Sequence, residues 1–199
     1  LEKNIPAFAG LGGGSADVAA LLRCLRRLYA AGMPDEALRA IGLTVGSDVP
    51  FCVSGGTSLA EGRGERLTDL PPLPVCQIVL CKPDFGISTP ELFVLADGAV
   101  LSKRPDIAGL TAALQGGELT GVTDRLCNVF EEFLPERYQE VFRIKEILLA
   151  HGALNAAMSG SGPTVYGIFE SAAEAQRAAE VLKKSYQQTY VAKPVKKLV

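Results

Sequence analysis

The residues best suited to chemistry by type and spacing open the chain. Gly10, Gly12, Gly13 and Gly14 fall within five positions and run straight into Ser15 and Asp17. Glycines let the backbone take positive φ and come close to a ligand with no Cβ in the way. Apolar residues then recur at helical spacing from Val18 to Leu28, so the loop feeds a helix start. A helix start presents unpaired N–H groups and a partial positive charge to whatever lies over it. Together these features suit a phosphate. Ser15 is placed as the helix cap, with a hydroxyl that can also reach a metal ion. No Gly-Lys-Ser/Thr closes the loop, so it is not a Walker A motif. Pro6 argues against the strand that a dinucleotide fold needs just before it. The plain alternative is a flexible turn with a serine cap.

Two further stretches carry reactive or ligand-facing groups. Asp48 lies in Gly46-Ser47-Asp48-Val49-Pro50-Phe51, where Pro50 biases Val49 toward extended geometry. Its carboxylate either closes a turn or accepts or orients a hydroxyl proton; spacing alone leaves both open. Met158-Ser159-Gly160-Ser161-Gly162-Pro163-Thr164 is a run of small residues before the strand pattern Val165–Phe169. It reads equally as a tight inter-strand turn and as a loop offering N–H groups to a ligand. Five cysteines (Cys24, Cys52, Cys76, Cys81, Cys127) show no C-x-x-C spacing. They read as buried free thiols rather than disulfides or zinc ligands. The single histidine, His151, excludes a histidine-rich metal site and reads as a cation at a helix C-terminus.

The elements that must position these groups follow from periodicity. A first helix is predicted over 15–31, with Leu21, Leu22, Leu25 and Leu28 on its core face, and a second over 34–43. Residues 51–61 read as strand, Gly55-Gly56 turn, strand. Gly62–Glu65 and the prolines 71, 72 and 74 read as a connector, placing a domain boundary near 66–74. The boundaries expected are 1–70 and 71–199. In the second part, 75–82 is a buried strand, 83–90 an irregular loop and 107–114 a helix. Helices over 129–133 and 138–149, a strand over 165–169, a helix over 172–184, a last strand over 186–195 and a Lys196-Lys197 tail complete it. This alternation predicts an α+β, ferredoxin-like sandwich.

Three ordered motifs resemble those of the GHMP kinases. Pro6 to Leu21 (PAFAGLGGGSADVAAL) resembles their phosphate loop, Gly46–Glu65 the segment with the catalytic aspartate, and Met158–Phe169 the C-terminal glycine motif. GLGGGSAD, GSDVPF and FGISTPELF point to one branch, acting on a cytidine diphosphate methylerythritol in non-mevalonate isoprenoid biosynthesis. The resemblance covers essentially the whole chain. It implies a GHMP kinase fold: an incomplete ribosomal-protein-S5-like N-terminal domain, an α/β sandwich C-terminal domain, and a site between them. It implies ATP and Mg²⁺ as cofactors, with ATP at Pro6, Gly10, Leu11, Gly12, Gly13, Gly14 and Ser15. It further implies that Ser15 also touches the metal, that Asp48 is the catalytic base or orienter, and that Thr89, Phe93, Gly160 and Ser161 hold the substrate. Phe93 would stack on the cytosine; by spacing alone it is an ordinary core aromatic. Asn128 matches an asparagine of this branch and is assigned a structural role, capping or bridging backbone. Ala16 stands where the branch usually has a second serine.

Bulk properties bound the rest. The composition, 48% hydrophobic and 21% charged with net charge −2, is that of a globular chain with no electrostatic reason to bind nucleic acid. No apolar run approaches the roughly 20 residues of a membrane span. A cytoplasmic setting (bacterial, or a plastid in a plant) is expected, with a homodimer among the expectations. The chain opens without Met, already at the glycine loop. It is therefore expected to be an N-terminally truncated fragment lacking the family's first strands, an early active-site lysine and part of the cytidine pocket. The alternatives are an inactive nucleotide-binding fragment and another GHMP kinase, such as one acting on homoserine or mevalonate.

Overall fold

The computed structural model describes residues 2–98, 101–102 and 104–195. The expected tail at Lys196 and Lys197 lies outside the described residues. The chain divides into two units: the N-terminal stretch up to Leu11 joins Leu73–Pro194, and Gly12–Pro72 forms the other.

The Gly12–Pro72 unit holds helices α1 (Gly13–Tyr29), α2 (Asp35–Leu43) and α3 (Val49–Ser54) and a hairpin of β1 (Thr57–Glu61) and β2 (Arg66–Leu70). Its core is Ala19, Leu38, Val49 and Val53, with Val18 and Leu22 packed against them. The buried face of α1 is therefore rotated from the expected leucine stripe: Leu21, Leu25 and Leu28 are exposed. Spacings of three and four bring Val18, Ala19 and Leu22 together on the side that meets α2 and α3.

The strand expected at the start of residues 51–61 is instead α3, and the hairpin lies one element later. Pro50 sits in the first turn of α3, where a missing N–H leaves no bond unmade, so Val49 is helical rather than extended. Gly55 and Gly56, both at positive φ, lie between α3 and β1. The stretch expected as a connector, Gly62–Glu65, is the turn between β1 and β2, with Glu61 paired to Arg66.

The larger unit is an antiparallel four-stranded sheet in the order β4-β5-β3-β6: β3 (Gln77–Lys82), β4 (Asn155–Met158), β5 (Val165–Phe169) and β6 (Gln188–Ala192). In chain order the spatial sequence is second, third, first, fourth, which is the ferredoxin-like arrangement. Between β3 and β4 run α4 (Thr89–Asp97), α5 (Ile107–Gly116), α6 (Leu119–Thr123), a 3-10 turn (Val129–Phe133) and α7 (Glu140–Ala150); α8 (Ala172–Lys183) joins β5 to β6. Helices α7 and α8 pack on the sheet. Val79, Val165, Phe169, Ile144, Leu148 and Leu182 are almost fully buried there, each contributing about 1.5–3 kcal/mol of burial free energy.

Candidate functional site

The glycine loop is defined by its backbone. Gly10 and Gly12 have φ of 70° and 64°. A Cβ on Gly10 would lie 2.1 Å from the Ser159 carbonyl oxygen, so no other residue fits there without a shift. Ser159 Oγ donates to the Gly10 carbonyl at 2.8 Å, and the Thr164 N–H to the Ala9 carbonyl at 3.2 Å. The first and third motifs are thus laced together within one unit.

Gly12, left-handed, is the residue before the first helical turn, so α1 begins at Gly13 and Ser15 is not its cap. Ser15 is the third helical residue. Its Oγ lies 3.9 Å from where a Cβ on Gly46 would stand, placing it beside the Gly46-Ser47-Asp48 turn. Gly13, Gly14 and Ser15 occupy the first helical turn, whose N–H groups have no intrahelical partner.

Asp48 precedes α3 but does not cap it: no N–H of the helix bonds its carboxylate. The residue is exposed, and among the described residues its carboxylate is left to solvent or a ligand. Cys52 lies one turn on; burial pushes its thiol up, the Asp48 carboxylate adds to this and Arg23 works against it. The hairpin turn bears on the same place, since a Cβ on Gly64 (φ 107°) would stand 2.2 Å from the Ser47 carbonyl oxygen.

On the larger unit, Thr89 Oγ1 and Ser161 Oγ share a hydrogen bond of 2.7 Å across 72 residues of sequence. Both line a cavity of about 390 Å³ together with Gly10, Ser88, Pro90 and Gly162. Pro6 is half-buried. Phe93, 55% exposed, packs edge-on against Phe130 with centroids 5.3 Å apart. It is therefore not the core aromatic that spacing alone allows. Gly160, at φ 55°, offers its carbonyl to Asn128 Nδ2 at 2.8 Å.

Three participants were not singled out from sequence. Ser159 holds Gly10; Glu131 accepts from the Met158 N–H at 2.6 Å; and Phe8, at φ 51° and 81% exposed, lines the cavity against Gly86. Ser159 and Phe8 lie inside recognised motifs and carried that signal, whereas Glu131 lies in none. His151 Nδ1 lies 2.7 Å from the Ile147 carbonyl at the end of α7, as expected of a helix C-terminus. The cysteines are free, but Cys24 and Cys127 are exposed rather than buried. No group of three or more His, Cys, Asp or Glu is clustered for a metal among the described residues.

Two family models match. The GHMP kinases N terminal domain covers residues 1–56 and GHMP kinases C terminal covers 110–188. A 4-diphosphocytidyl-2-C-methyl-D-erythritol kinase of Enterococcus faecalis is 44% identical over 98% of this chain and 69% of its own length. The chain belongs to the GHMP kinase family. A kinase of the same name from Clostridium acetobutylicum is 39% identical, over 98% of this GHMP kinase and 70% of the relative. A crystal structure of 4-(cytidine 5'-diphospho)-2C-methyl-D-erythritol kinase superposes with a TM-score of 0.81 at 32% identity, covering 97% of this chain and 69% of the other. The homoserine kinase of Cytophaga hutchinsonii, at 19% identity over 98% of this chain and 68% of its own, shares the fold with a TM-score of 0.73. As a GHMP kinase the chain is a phosphotransferase that uses ATP.

Proposed function

We propose that this GHMP kinase transfers the γ-phosphoryl group of ATP to the 2-hydroxyl of 4-diphosphocytidyl-2-C-methyl-D-erythritol, in non-mevalonate isoprenoid biosynthesis in the cytoplasm. The observation that carries the reading is the hydrogen bond between Thr89 and Ser161 on a 390 Å³ cavity. It joins the start of α4, in the FGISTPELF motif, to the C-terminal glycine motif, in a chain 39–44% identical to kinases of that name.

Phosphoryl transfer asks for position and electrostatic stabilisation more than covalent chemistry by the protein. Pro6, Gly10, Leu11, Gly12, Gly13, Gly14 and Ser15 take the triphosphate, with backbone N–H groups at the start of α1 facing the growing charge. Asp48, which neither caps a helix nor forms an ion pair among the described residues, orients the acceptor hydroxyl and takes its proton. A bond forms from that oxygen to the γ-phosphorus, and the bond to the β–γ bridging oxygen breaks, releasing ADP. Thr89, Gly160 and Ser161 hold the acceptor, and the exposed face of Phe93 takes the cytosine, a stacking contact of roughly 1–3 kcal/mol.

The donors present fit Mg²⁺ carried on the nucleotide. This ion favours oxygen ligands and uses one or two protein groups besides phosphates and water. The Ser15 hydroxyl beside the Asp48 turn is such a group, whereas a cage of carboxylates is lacking among the described residues. When bound, the ion neutralises charge on the β- and γ-phosphates.

The test is ADP release from Mg-ATP with 4-diphosphocytidyl-methylerythritol as acceptor, against no acceptor, homoserine and mevalonate. Release well above the other three supports the reading. Nucleotide binding without turnover makes this chain a binding fragment, and turnover of homoserine or mevalonate replaces the substrate.

A further inference from the structure

A carboxamide has two N–H donors and an acceptor oxygen, and Asn128 uses all three. Its Nδ2 donates to the Met158 carbonyl and to the Gly160 carbonyl, each at 2.8 Å, while its Oδ1 accepts from the Phe130 N–H at 3.0 Å. Three residues on, Glu131 accepts from the Met158 N–H at 2.6 Å and forms an ion pair with Lys145. Those two side chains are 14% and 22% exposed, so the pair is shielded from solvent and anchors the turn to α7. Between Asn128 and Glu131 stands Phe130, whose ring meets Phe93 edge-on. One short turn therefore grips the loop before Ser161 through Asn128 and Glu131, and supports Phe93 through Phe130.

We propose that Asn128 is a positioning residue for the acceptor: by bridging the Met158 and Gly160 carbonyls it fixes Ser161 at a set distance from Phe93. This rests on the proposed function, which gives those two residues to the acceptor. The clamp has a chemical signature. An aspartate at this place has the same shape but sets carboxylate oxygens against two carbonyl oxygens, and an alanine leaves both carbonyls without their donor. In either case the loop is free to relax and Ser161 Oγ to leave Thr89. Asn128 itself touches none of the residues assigned to ATP; the loop it clamps reaches Gly10 only through Ser159, so the effect falls more heavily on the acceptor than on ATP.

The experiment compares the unaltered protein with Asn128→Asp and Asn128→Ala, by steady-state kinetics with each substrate varied and by amide hydrogen exchange. Expected for Asn128→Asp is a rise of tenfold or more in acceptor KM, a severalfold smaller rise in KM for Mg-ATP transmitted through Ser159 and Gly10, and faster exchange at the Ser159 and Gly162 amides. Both amides are hydrogen-bonded inside the loop, to the Thr164 and Ser159 carbonyls. Asn128→Ala gives the same split to a smaller degree and serves if the aspartate variant fails to fold. Unchanged acceptor KM, both KM values rising by the same factor, or unchanged exchange overturns the clamp while leaving the kinase reading intact. If the unaltered protein shows neither turnover nor binding of the acceptor, the functional reading falls and the acceptor role of Asn128 falls with it.

Discussion

Asp48 stands at the head of α3 without serving it, and this separates its chemistry from its structure. Asp48→Asn keeps shape and removes the base. We expect kcat to fall by about 10²–10⁴-fold, the usual contribution of a positioned acid or base, while Tm stays within a degree or two because no cap bond is lost. Turnover by pulse-chase or coupled ADP release, with a melting curve alongside, checks both halves; near-normal kcat removes Asp48 from the reaction. The glycines separate in the same manner. Gly10→Ala sets a methyl 2.1 Å from a carbonyl oxygen at positive φ, and strain of that kind costs on the order of 1–3 kcal/mol. Gly14→Ala meets nothing within 4 Å and lies in a helix, where the change gains about 0.5–1 kcal/mol. Gly10→Ala should therefore lower Tm by several degrees and weaken ATP binding. Gly14→Ala should hold or raise Tm and weaken only ATP binding, through the Cβ now facing the phosphates. The sequence made Gly10 visible as a glycine in a phosphate-loop motif. It did not show that Ser159, 149 positions away, is what demands it, because that contact exists only once the chain has folded.

Elements were legible where one period dominated and obscure where a tertiary partner decided. The strands β3 and β5 are apolar runs, and α8 has alanines at helical spacing under a serine cap; all three appear close to their expected bounds. β4 reads Asn-Ala-Ala-Met, with no β-branched residue, and is a strand because β5 pairs with it. The helix α3 hides for the opposite reason, since Val-Pro-Phe-Cys-Val reads extended until Val49 and Val53 are seen buried on one side. The β1–β2 turn has a testable bearing on the site. Gly64→Ala must push against the Ser47 carbonyl, one residue from Asp48. A displacement near 1 Å at a reacting group can lower rate by about 100-fold, so kcat should fall on the order of 10- to 100-fold with KM for ATP little changed; kinetics of this single variant decide it. Strand β3 makes a prediction about pH. Burial lifts the Cys81 thiol to about 11, above its ordinary value of 9.0. The folded state therefore favours the protonated form, and its stabilising contribution is whole below pH 9 and lost as pH rises through 11. Two pKa units correspond to about 2–3 kcal/mol. Thermal melts from pH 8 to 10.5 should show a steeper loss for the unaltered chain than for Cys81→Ala; equal slopes exclude the thiol as the source.

At the scale of the whole molecule, the ferredoxin-like sheet was readable from alternation of elements, and the family from three motifs in order. The face of α1 left exposed by Leu21, Leu25 and Leu28 was not, because periodicity marks an apolar stripe without saying what covers it. Nor was the point where the chain leaves one unit for the other, between Leu11 and Gly12, inside the glycine loop itself. No helix among the described residues is long and apolar enough to cross a membrane.

The Ser159 hydroxyl on the Gly10 carbonyl sits in the same loop as Ser161, so the segment assigned to ATP and the segment assigned to the acceptor are ordered by a common stretch of backbone. Ordering paid once need not be repeated: whichever substrate arrives first stiffens the loop for the second. Linkage makes this reciprocal, since each ligand must tighten the other by an equal factor. Calorimetric titration with CDP, with and without saturating ADP, should show tightening of about fivefold or more. Ser159→Ala should reduce that factor toward one while changing either affinity alone far less, so that one hydroxyl converts two binding events into a synergistic pair.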